Sequence, residues 1–223
     1  MLDGVCITGG EPTLEPELPE LIRSIKELGY LVKLDTNGTH PAIVRKLAEE
    51  KLIDYVAMDI KSSREHYARL AGNSSEKLLA VVEETAAFLM EGNLDYEFRT
   101  TVVRELHEQE DFVAIRDWLA GARRYYLQAY RDSEHILKSG NYSSYSREEL
   151  ERFAAILREK IPVVEVRGLS KISKGQAGRL SLRSLKGLTS DRRVLSEYRE
   201  NQSFKADGTS SHGGRPEPYP GFP

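Results

Sequence analysis

The chain has 223 residues, of which 39% are hydrophobic and 30% are charged, with a formal net charge of -3. No uninterrupted apolar run approaches the roughly 18 residues of a transmembrane helix, and the near-neutral charge favours neither nucleic acid nor a membrane as a partner. The single cysteine, Cys6, cannot form an internal disulfide. Together with the absence of a visible signal peptide, this predicts a reducing, cytoplasmic location.

Charge and hydrophobicity divide the chain into two parts. Residues 170–223 contain 10 Lys and Arg against 5 Asp and Glu, whereas residues 1–169 contain 22 against 30. The C-terminal part has few hydrophobic residues and cannot bury enough apolar surface to offset the entropy of ordering. We therefore expect one folded domain at residues 1–169 and a disordered tail at residues 170–223.

Apolar runs and amphipathic segments alternate through the first part. The pattern predicts strands and helices in turn: strand 4–8, helix 19–28, strand 30–34, helix 41–51, strand 53–60, helix 75–91, strand 94–103, helix 109–120, strand 125–130, helix 146–160 and strand 163–166. Such alternation is typical of parallel strands joined by right-handed crossovers. Alternating Tyr96, Phe98, Thr100 and Val102 suit a sheet covered by helices on one face, as in a barrel. A doubly wound open sheet is the competing architecture.

Polar residues gather at the carboxyl ends of five predicted strands. They are Gly9, Gly10, Glu11 and Pro12 after the first strand, Asp35 and Asn37 at the second, Asp59 and Lys61 at the third, Arg99 in the fourth, and Gln128 and Tyr130 in the fifth. Each is ordinary alone, since a glycine pair makes turns and a buried arginine needs only a partner, here Asp59 or Glu11. Because ligands of parallel α/β proteins bind where strands end, the group as a whole predicts a site.

Four of these segments together resemble a known family. Gly-Gly-Glu-Pro at 9–12, Asp-Thr-Asn-Gly at 35–38, Met-Asp-Ile-Lys at 58–61 and Phe-Arg-Thr-Thr at 98–101 resemble the glycyl-radical-activating branch of the radical S-adenosylmethionine (SAM) superfamily. Residues 98–103, 125–130 and 161–168 are most similar to the subgroup that activates anaerobic ribonucleotide reductase. The resemblance covers about residues 2–168. It implies an α/β fold, a partial parallel barrel of the radical SAM type.

The resemblance also implies a role for each residue at the strand ends. Gly9, Gly10 and Glu11 would bind the methionine amino group of SAM, with Pro12 in the same loop, and Asp35 would lie near the methionine or the cluster, with Asn37 supporting its loop. Asp59 and Lys61 would lie at the barrel mouth. Of the two catalytic candidates, Lys61 would be near the methionine carboxylate or a peptide substrate and Arg99 would contact the carboxylate or the ribose, while Gln128 and Tyr130 would line the adenosine end.

The family needs a second cofactor that this sequence does not accommodate. Its [4Fe-4S] cluster is held by three cysteine thiolates, whereas Cys6 lies between Val5 and Ile7 and is interpreted as a small core residue. We expect the first βα unit of the barrel to be missing and this chain to be inactive alone. Intact relatives would use a 5′-deoxyadenosyl radical to form a glycyl radical on anaerobic ribonucleotide reductase, with flavodoxin or ferredoxin as electron donor.

Other functions remain open. The chain could be a radical SAM enzyme that acts on a small molecule, a non-catalytic barrel that binds SAM or an anion, or a remnant without its own function. Glu11 would repel a phosphate, and Pro12 removes one backbone donor, which disfavours anion binding. The histidines are scattered, so they predict no metal site. His107 and His135 follow strands and could approach the barrel mouth, but the commoner case, a surface loop position, is the preferred interpretation.

Overall fold

Strands and helices alternate along the part of the chain that the structure describes, which is residues 3–70, 75–131 and 142–169 of a computed structural model. The strands are β1 (Gly4–Ile7), β2 (Leu31–Thr36), β3 (Tyr55–Asp59), β4 (Asp95–Val102), β5 (Arg124–Ala129) and β6 (Val163–Arg167). The helices are α1 (Leu18–Glu27), α2 (Pro41–Glu49), α3 (Arg64–Leu70), α4 (Ser75–Met90), α5 (Gln109–Trp118) and α6 (Arg147–Arg158), with a 3-10 turn at Pro12–Leu14. The predicted tail at 170–223 and His135 lie outside the described residues.

The six strands form one parallel sheet in the order β1-β2-β3-β4-β5-β6. A doubly wound sheet reverses its strand order part-way, whereas this order never reverses, so right-handed crossovers place every helix on the same face. No pairing joins β1 to β6 within the described residues. The predicted partial barrel is confirmed, and the doubly wound alternative is wrong for this chain.

The two faces of the sheet differ sharply in polarity. Tyr96, Phe98, Thr100 and Val102 of β4 are all at most 2% exposed and face the layer of helices. That layer includes α5 and α6, where Phe112 stacks on a phenylalanine of α6 with ring centroids 4.5 Å apart. Side chains alternate along a strand, so the intervening residues of β4 point to the opposite, concave face. That face carries the charged residues described below.

The structure adds one helix to the five that the sequence predicts. Helix α3 begins at Arg64, directly after the loop that follows β3. A seven-residue helix is marginal on its own, so its formation depends on tertiary contacts. Tyr67 provides one, because its ring is 3% exposed and its hydroxyl accepts a hydrogen bond from the Lys61 amide at 2.7 Å. No helix among the described residues is long and apolar enough to cross a membrane.

Candidate functional site

The loop after β1 presents its backbone to the open edge of the sheet. Gly9 and Gly10 have φ angles of +102° and +56°, which favour glycine because a Cβ atom is strained there. A Cβ built on either residue would meet no atom within 4 Å, so the space above the loop is open. A ligand can therefore approach the peptide groups of this loop closely. Pro12 is buried behind them and starts the short 3-10 turn.

The Glu11 carboxylate fastens this loop to the end of β2. Its Oε1 atom accepts hydrogen bonds from Thr13 N at 3.1 Å, Thr13 Oγ1 at 2.5 Å and Thr36 Oγ1 at 2.8 Å. Its Oε2 atom accepts one from Asn37 N at 2.6 Å. Both oxygens are therefore tied to the protein, Oε1 by three donors and Oε2 by one. The side chain of Glu11 positions the loop.

The loop after β2 is fixed in the same way from its own side. The Asn37 Oδ1 atom accepts hydrogen bonds from Thr39 N at 3.0 Å and Thr39 Oγ1 at 2.7 Å. Gly38 has a φ of +77°, and a Cβ there would overlap the side chain of Met58. Its carbonyl accepts a hydrogen bond from Thr85 at 2.7 Å. Asn37 thus stabilises the loop after β2.

Four charged residues form a network at the carboxyl ends of β2, β3 and β4, which we call the rim cluster: Asp35, Asp59, Lys61 and Arg99. The guanidinium of Arg99 contacts Asp59 through Nε and Asp35 through Nη1, the latter at 3.0 Å. Lys61 Nζ lies 3.1 Å from the other oxygen of Asp59. Burial lowers the pKa of Arg99, but the two carboxylates outweigh it and raise that pKa above its ordinary value. The guanidinium of Arg99 is therefore charged, and the rim cluster offers both donors and acceptors.

A second group of polar residues lies beside the rim cluster on the concave face, and sequence reasoning missed it. This floor cluster comprises Lys33, Tyr55, Glu97, Tyr126 and Arg167. Glu97, only 3% exposed, accepts hydrogen bonds from Tyr55 at 2.9 Å and Arg167 at 3.1 Å, with Lys33 Nζ at 3.7 Å. Burial and the Glu97 carboxylate raise the pKa of Tyr55 to about 12. The guanidinium of Arg167 lies over the Tyr126 ring.

Buried side chains hold the backbone on which Lys61 is carried. The hydroxyl of Thr100 donates to Ile60 O at 2.6 Å, and the Lys61 amide donates to Tyr67. His107 Nε2 lies 2.8 Å from Lys61 O, a carbonyl that only accepts, so Nε2 carries a proton, and His107 Nδ1 lies 3.1 Å from Val103 N. His107 is 3% exposed, and its interpretation as a surface residue is wrong. It fixes the loop that carries Lys61.

The two residues predicted for the adenosine end lie on the neighbouring strand. Gln128 pairs in register with Thr101 of β4, and the two side chains are 3.4 Å apart. Tyr130 directly follows β5, is 6% exposed, and meets the ring of Tyr142 edge-on at 6.2 Å. The structure thus brings Asp35, Asp59, Lys61 and Arg99 into one network and places Gln128 and Tyr130 at the same end of the sheet. Their roles in binding stay predictions.

Cys6 is not a core residue, contrary to its interpretation from the sequence. It pairs in register with Lys33, and its Sγ atom lies 3.6 Å from Asp35 Oδ1 on the concave face. Burial, reinforced by Asp35, raises the pKa of this thiol to about 11. Cluster irons take thiolates, and the 223 residues supply one thiol. A three-cysteine [4Fe-4S] site does not fit these residues, and no group of three or more potential ligands occurs within the described ranges.

The residues present do fit the methionine end of SAM. That group is a zwitterion, so it needs acceptors for an ammonium and donors for a carboxylate. The open loop at residues 9–10 presents peptide groups without side chains. Within the described residues, Arg99 donates hydrogen bonds through Nε and Nη1, so its Nη2 atom is available to donate to a ligand carboxylate. The side chain of Lys61 is 39% exposed and can be reached by the same ligand. Both types of partner therefore occur at one edge of the sheet.

Comparisons with known proteins bear on the family of this chain. The family model of the radical SAM superfamily matches residues 1–119. A Methanocaldococcus jannaschii protein described as a glycyl-radical enzyme activating enzyme is 30% identical over 191 residues, which is 83% of this chain and 72% of that protein. A 7-carboxy-7-deazaguanine synthase of Neisseria meningitidis is 43% identical over 58 residues, 26% of this chain and 24% of the synthase.

The fold has solved counterparts as well. A domain of the pyruvate-formate lyase-activating enzyme from Bacteroides vulgatus superposes with a TM-score of 0.58 and 18% identity. The superposition covers 74% of this chain and 99% of that domain. At this identity the match supports the fold alone, and it agrees with the partial barrel described above.

Proposed function

This chain belongs to the radical SAM superfamily, in its glycyl-radical-activating branch, and we propose that it binds SAM at the rim cluster as part of an activating protein for anaerobic ribonucleotide reductase. One observation carries the proposal. The open loop at residues 9–10 and the cations Lys61 and Arg99 occur at the same edge of the sheet. A zwitterionic amino acid needs both carbonyl acceptors for its ammonium and cations for its carboxylate, whereas a phosphate needs donors and cations only.

Each predicted residue has a defined task in this proposal. The peptide groups of Gly9 and Gly10 would accept the methionine ammonium, while Glu11 keeps their loop in place. Lys61 and Arg99 would hold the methionine carboxylate, and both are already oriented by Asp59. Because these contacts are made before the ligand arrives, little order is lost on binding.

The positions on the next strands complete the proposed site. Gln128 and Tyr130 would face the adenosine, and a polar amide beside an aromatic ring suits a purine nucleoside. Asp35 would act through Arg99, because its Oδ2 atom accepts a hydrogen bond from Arg99 Nη1 at 3.0 Å. Its carboxylate keeps the guanidinium plane fixed relative to the loop after β1.

The radical step of the superfamily requires a [4Fe-4S] cluster together with SAM, and these residues do not hold that cluster. We therefore propose that this chain, by itself, binds SAM without cleaving it. The glycyl radical enzyme partner, the flavodoxin or ferredoxin electron donor and the cytoplasmic location belong to the complete activating system. A reconstituted chain that shows the cluster's absorption band and cleaves SAM reductively would overturn this part of the proposal.

Calorimetric titration of the full chain tests the binding step. The ligands are SAM, S-adenosylhomocysteine, which lacks the sulfonium charge, and methylthioadenosine, which lacks the amino-acid end. We expect SAM to bind, and we expect methylthioadenosine to bind at least about tenfold more weakly than S-adenosylhomocysteine, because these two thioethers differ by the amino-acid end and its charge-assisted hydrogen bonds. Equal affinity for both, or no heat with SAM, would remove the basis for a methionine site.

Lys61→Met and Lys26→Met make a matched pair of variants. Lys61 contacts Asp59 at the carboxyl end of β3, whereas Lys26 contacts Asp54, just before the amino end of the same strand, at 2.8 Å. We expect Lys61→Met to weaken SAM binding by about tenfold and Lys26→Met to leave it unchanged. Similar losses in both variants would show a general effect of charge and not a local contact.

A second candidate function is a radical SAM enzyme with a small-molecule substrate. The match to 7-carboxy-7-deazaguanine synthase favours it at 43% identity, although over only 58 residues. Pull-down with purified anaerobic ribonucleotide reductase separates the two, because an activating protein must hold its partner. Retention of the reductase supports the first candidate, and its absence, with SAM binding intact, supports the second.

A further inference from the structure

His40 lies between the two loops that form the site's edge. Its Nδ1 atom is 3.0 Å from Thr13 Oγ1, in the segment after β1, and 3.0 Å from Thr39 Oγ1, in the loop after β2. The Glu11 carboxylate joins the same two loops at Thr36 and Asn37. His40 therefore supplies a second bridge between the two loops. In the loop after β2 it contacts Thr39, whereas Glu11 contacts Thr36 and Asn37.

The direction of each hydrogen bond at this bridge follows from its neighbours. Thr13 Oγ1 lies 2.5 Å from Glu11 Oε1, an atom that also accepts from Thr13 N and Thr36 Oγ1, so the single hydroxyl proton of Thr13 points to Glu11. Asn37 Oδ1 accepts the Thr39 backbone amide at 3.0 Å, which identifies that atom as the amide oxygen. The hydroxyl of Thr39, 2.7 Å away, must therefore donate to Asn37 as well.

These two assignments leave one possibility for the imidazole. Both threonine oxygens present lone pairs to His40, so Nδ1 can only donate, and its single proton is shared between the two oxygens. The backbone of His40 is also fixed, because its carbonyl accepts hydrogen bonds from the amides of Ile43 and Val44 at the start of α2. The ring is thus held on the helix and reaches from there to both loops.

We propose that His40 is a positioning residue, held in its Nδ1-protonated form, that locks the loops after β1 and β2 into one body. The proposal deepens the proposed function and rests on it for the ligand, because the locked loops carry Gly9 and Gly10. The protonation of His40 and the coupling of the loops can be tested without SAM. His40 contacts no ligand position itself and acts through Thr13 and Thr39.

Nitrogen NMR of the full chain labelled at histidine tests the protonation state. The spectrum is recorded well above the ordinary histidine pKa of about 6.5, and the His40 signal is identified by its loss in His40→Asn. We expect the Nδ1 atom of His40 to show the shift of a protonated nitrogen. A neutral ring with the proton on Nε2, or a rapidly exchanging mixture of both forms, would overturn the proposal.

Two variants test the positioning role, because Asn and Gln carry their amide nitrogens at different lengths. The amide of Asn reaches the position of Nδ1, whereas the amide of Gln reaches that of Nε2. We expect His40→Asn to retain slow amide exchange in both loops and SAM affinity within about twofold. His40→Gln should show faster exchange in both loops and about fivefold weaker SAM binding, equal to about 1 kcal/mol.

The outcomes separate this proposal from the proposed function. If the wild-type chain fails to bind SAM while amide exchange follows the expected pattern, the ligand assignment fails and the His40 bridge stands. If SAM binds but the Asn and Gln variants behave alike in both measurements, the positioning role of His40 is wrong.

Discussion

Replacing Glu11 with Gln tests directly whether its carboxylate fixes the edge of the site. Four donors converge on the carboxylate: Thr13 N, Thr13 Oγ1, Thr36 Oγ1 and Asn37 N. Glutamine replaces one oxygen with an NH2 group, which must then face at least one of these donors. The substitution keeps the size of the side chain, so its effect reports on hydrogen bonding and charge.

The expected cost can be worked from these contacts. The milder orientation places the NH2 group against Asn37 N, which loses its acceptor at a cost of about 1–3 kcal/mol when buried. The three remaining hydrogen bonds lose their ionic acceptor, at about 0.5–1 kcal/mol each. Because Glu11 is only partly buried, we expect a total near the lower end, about 3 kcal/mol.

Urea unfolding of the full chain measures this loss, and Glu15→Gln is the matched control. Glu15 is an exposed residue four positions further along, so its substitution should change the free energy of unfolding by less than about 0.5 kcal/mol. Equal effects in the two variants would refute the reasoning, since Glu11 would then be an ordinary surface carboxylate.

Three further measurements test other parts of the structure. Gly38→Ala should lower the free energy of unfolding by about 2 kcal/mol more than Gly29→Ala, since both glycines have positive φ but a Cβ overlaps a neighbouring methionine only at residue 38. Equal losses would contradict that contact. The hydrogen bond from Arg104 lowers the pKa of Glu149 from 4.5 to about 2. The ionised Glu149 carboxylate therefore stabilises the fold fully above pH 4.5, and this stabilisation is lost as the pH falls toward 2. The difference in unfolding midpoint between wild type and Glu149→Gln should therefore narrow over that range. Cys6, with a pKa of about 11 against 9.0, should react with iodoacetamide near pH 8 about a hundredfold more slowly than a free thiol.

Apolar periodicity carried most of the fold prediction, and β4 shows why. Tyr96, Phe98 and Val102 alternate with polar residues, and burial of the apolar set against the helices leaves one possible orientation of the strand. Helix α3 lacked such a signal because seven residues contain too few turns to reveal a period. Its presence depends on Tyr67 reaching the Lys61 amide, a contact between segments that no local pattern encodes.

The two-residue alternation of the strands also places the floor cluster, whose members lie within strands and not only at their ends. Lys33 and Asp35, like Glu97 and Arg99, are two residues apart, so each pair shares a face of the sheet. Asp35 and Arg99 were found because they lie near strand ends. Glu97 was missed because a buried carboxylate within a strand is recognisable only once its cations on other strands are known.

Cys6 shows where apolar neighbours mislead. Val5 and Ile7 make the four-residue strand β1 look uniformly buried, but adjacent residues of a strand point to opposite faces. Since Ile7 faces the core, Cys6 must face the charged side, where it meets Asp35. In so short a strand the alternation has too few repeats to be distinguished from a continuous apolar run.

The structure decides which of two carboxylates pairs with Arg99. The sequence allowed either Glu11 or Asp59, and the structure gives Glu11 four neutral donors from the loops after β1 and β2. Asp59 lies in register with Arg99 on the next strand and takes that role, joined by Asp35. The carboxylates at this edge of the sheet therefore have different roles. Glu11 fixes the loop that a ligand would approach, whereas Asp35 and Asp59 orient the guanidinium of Arg99. Substitutions at Glu11 should change where a ligand binds, whereas substitutions at Asp59 should change which charge the site accepts.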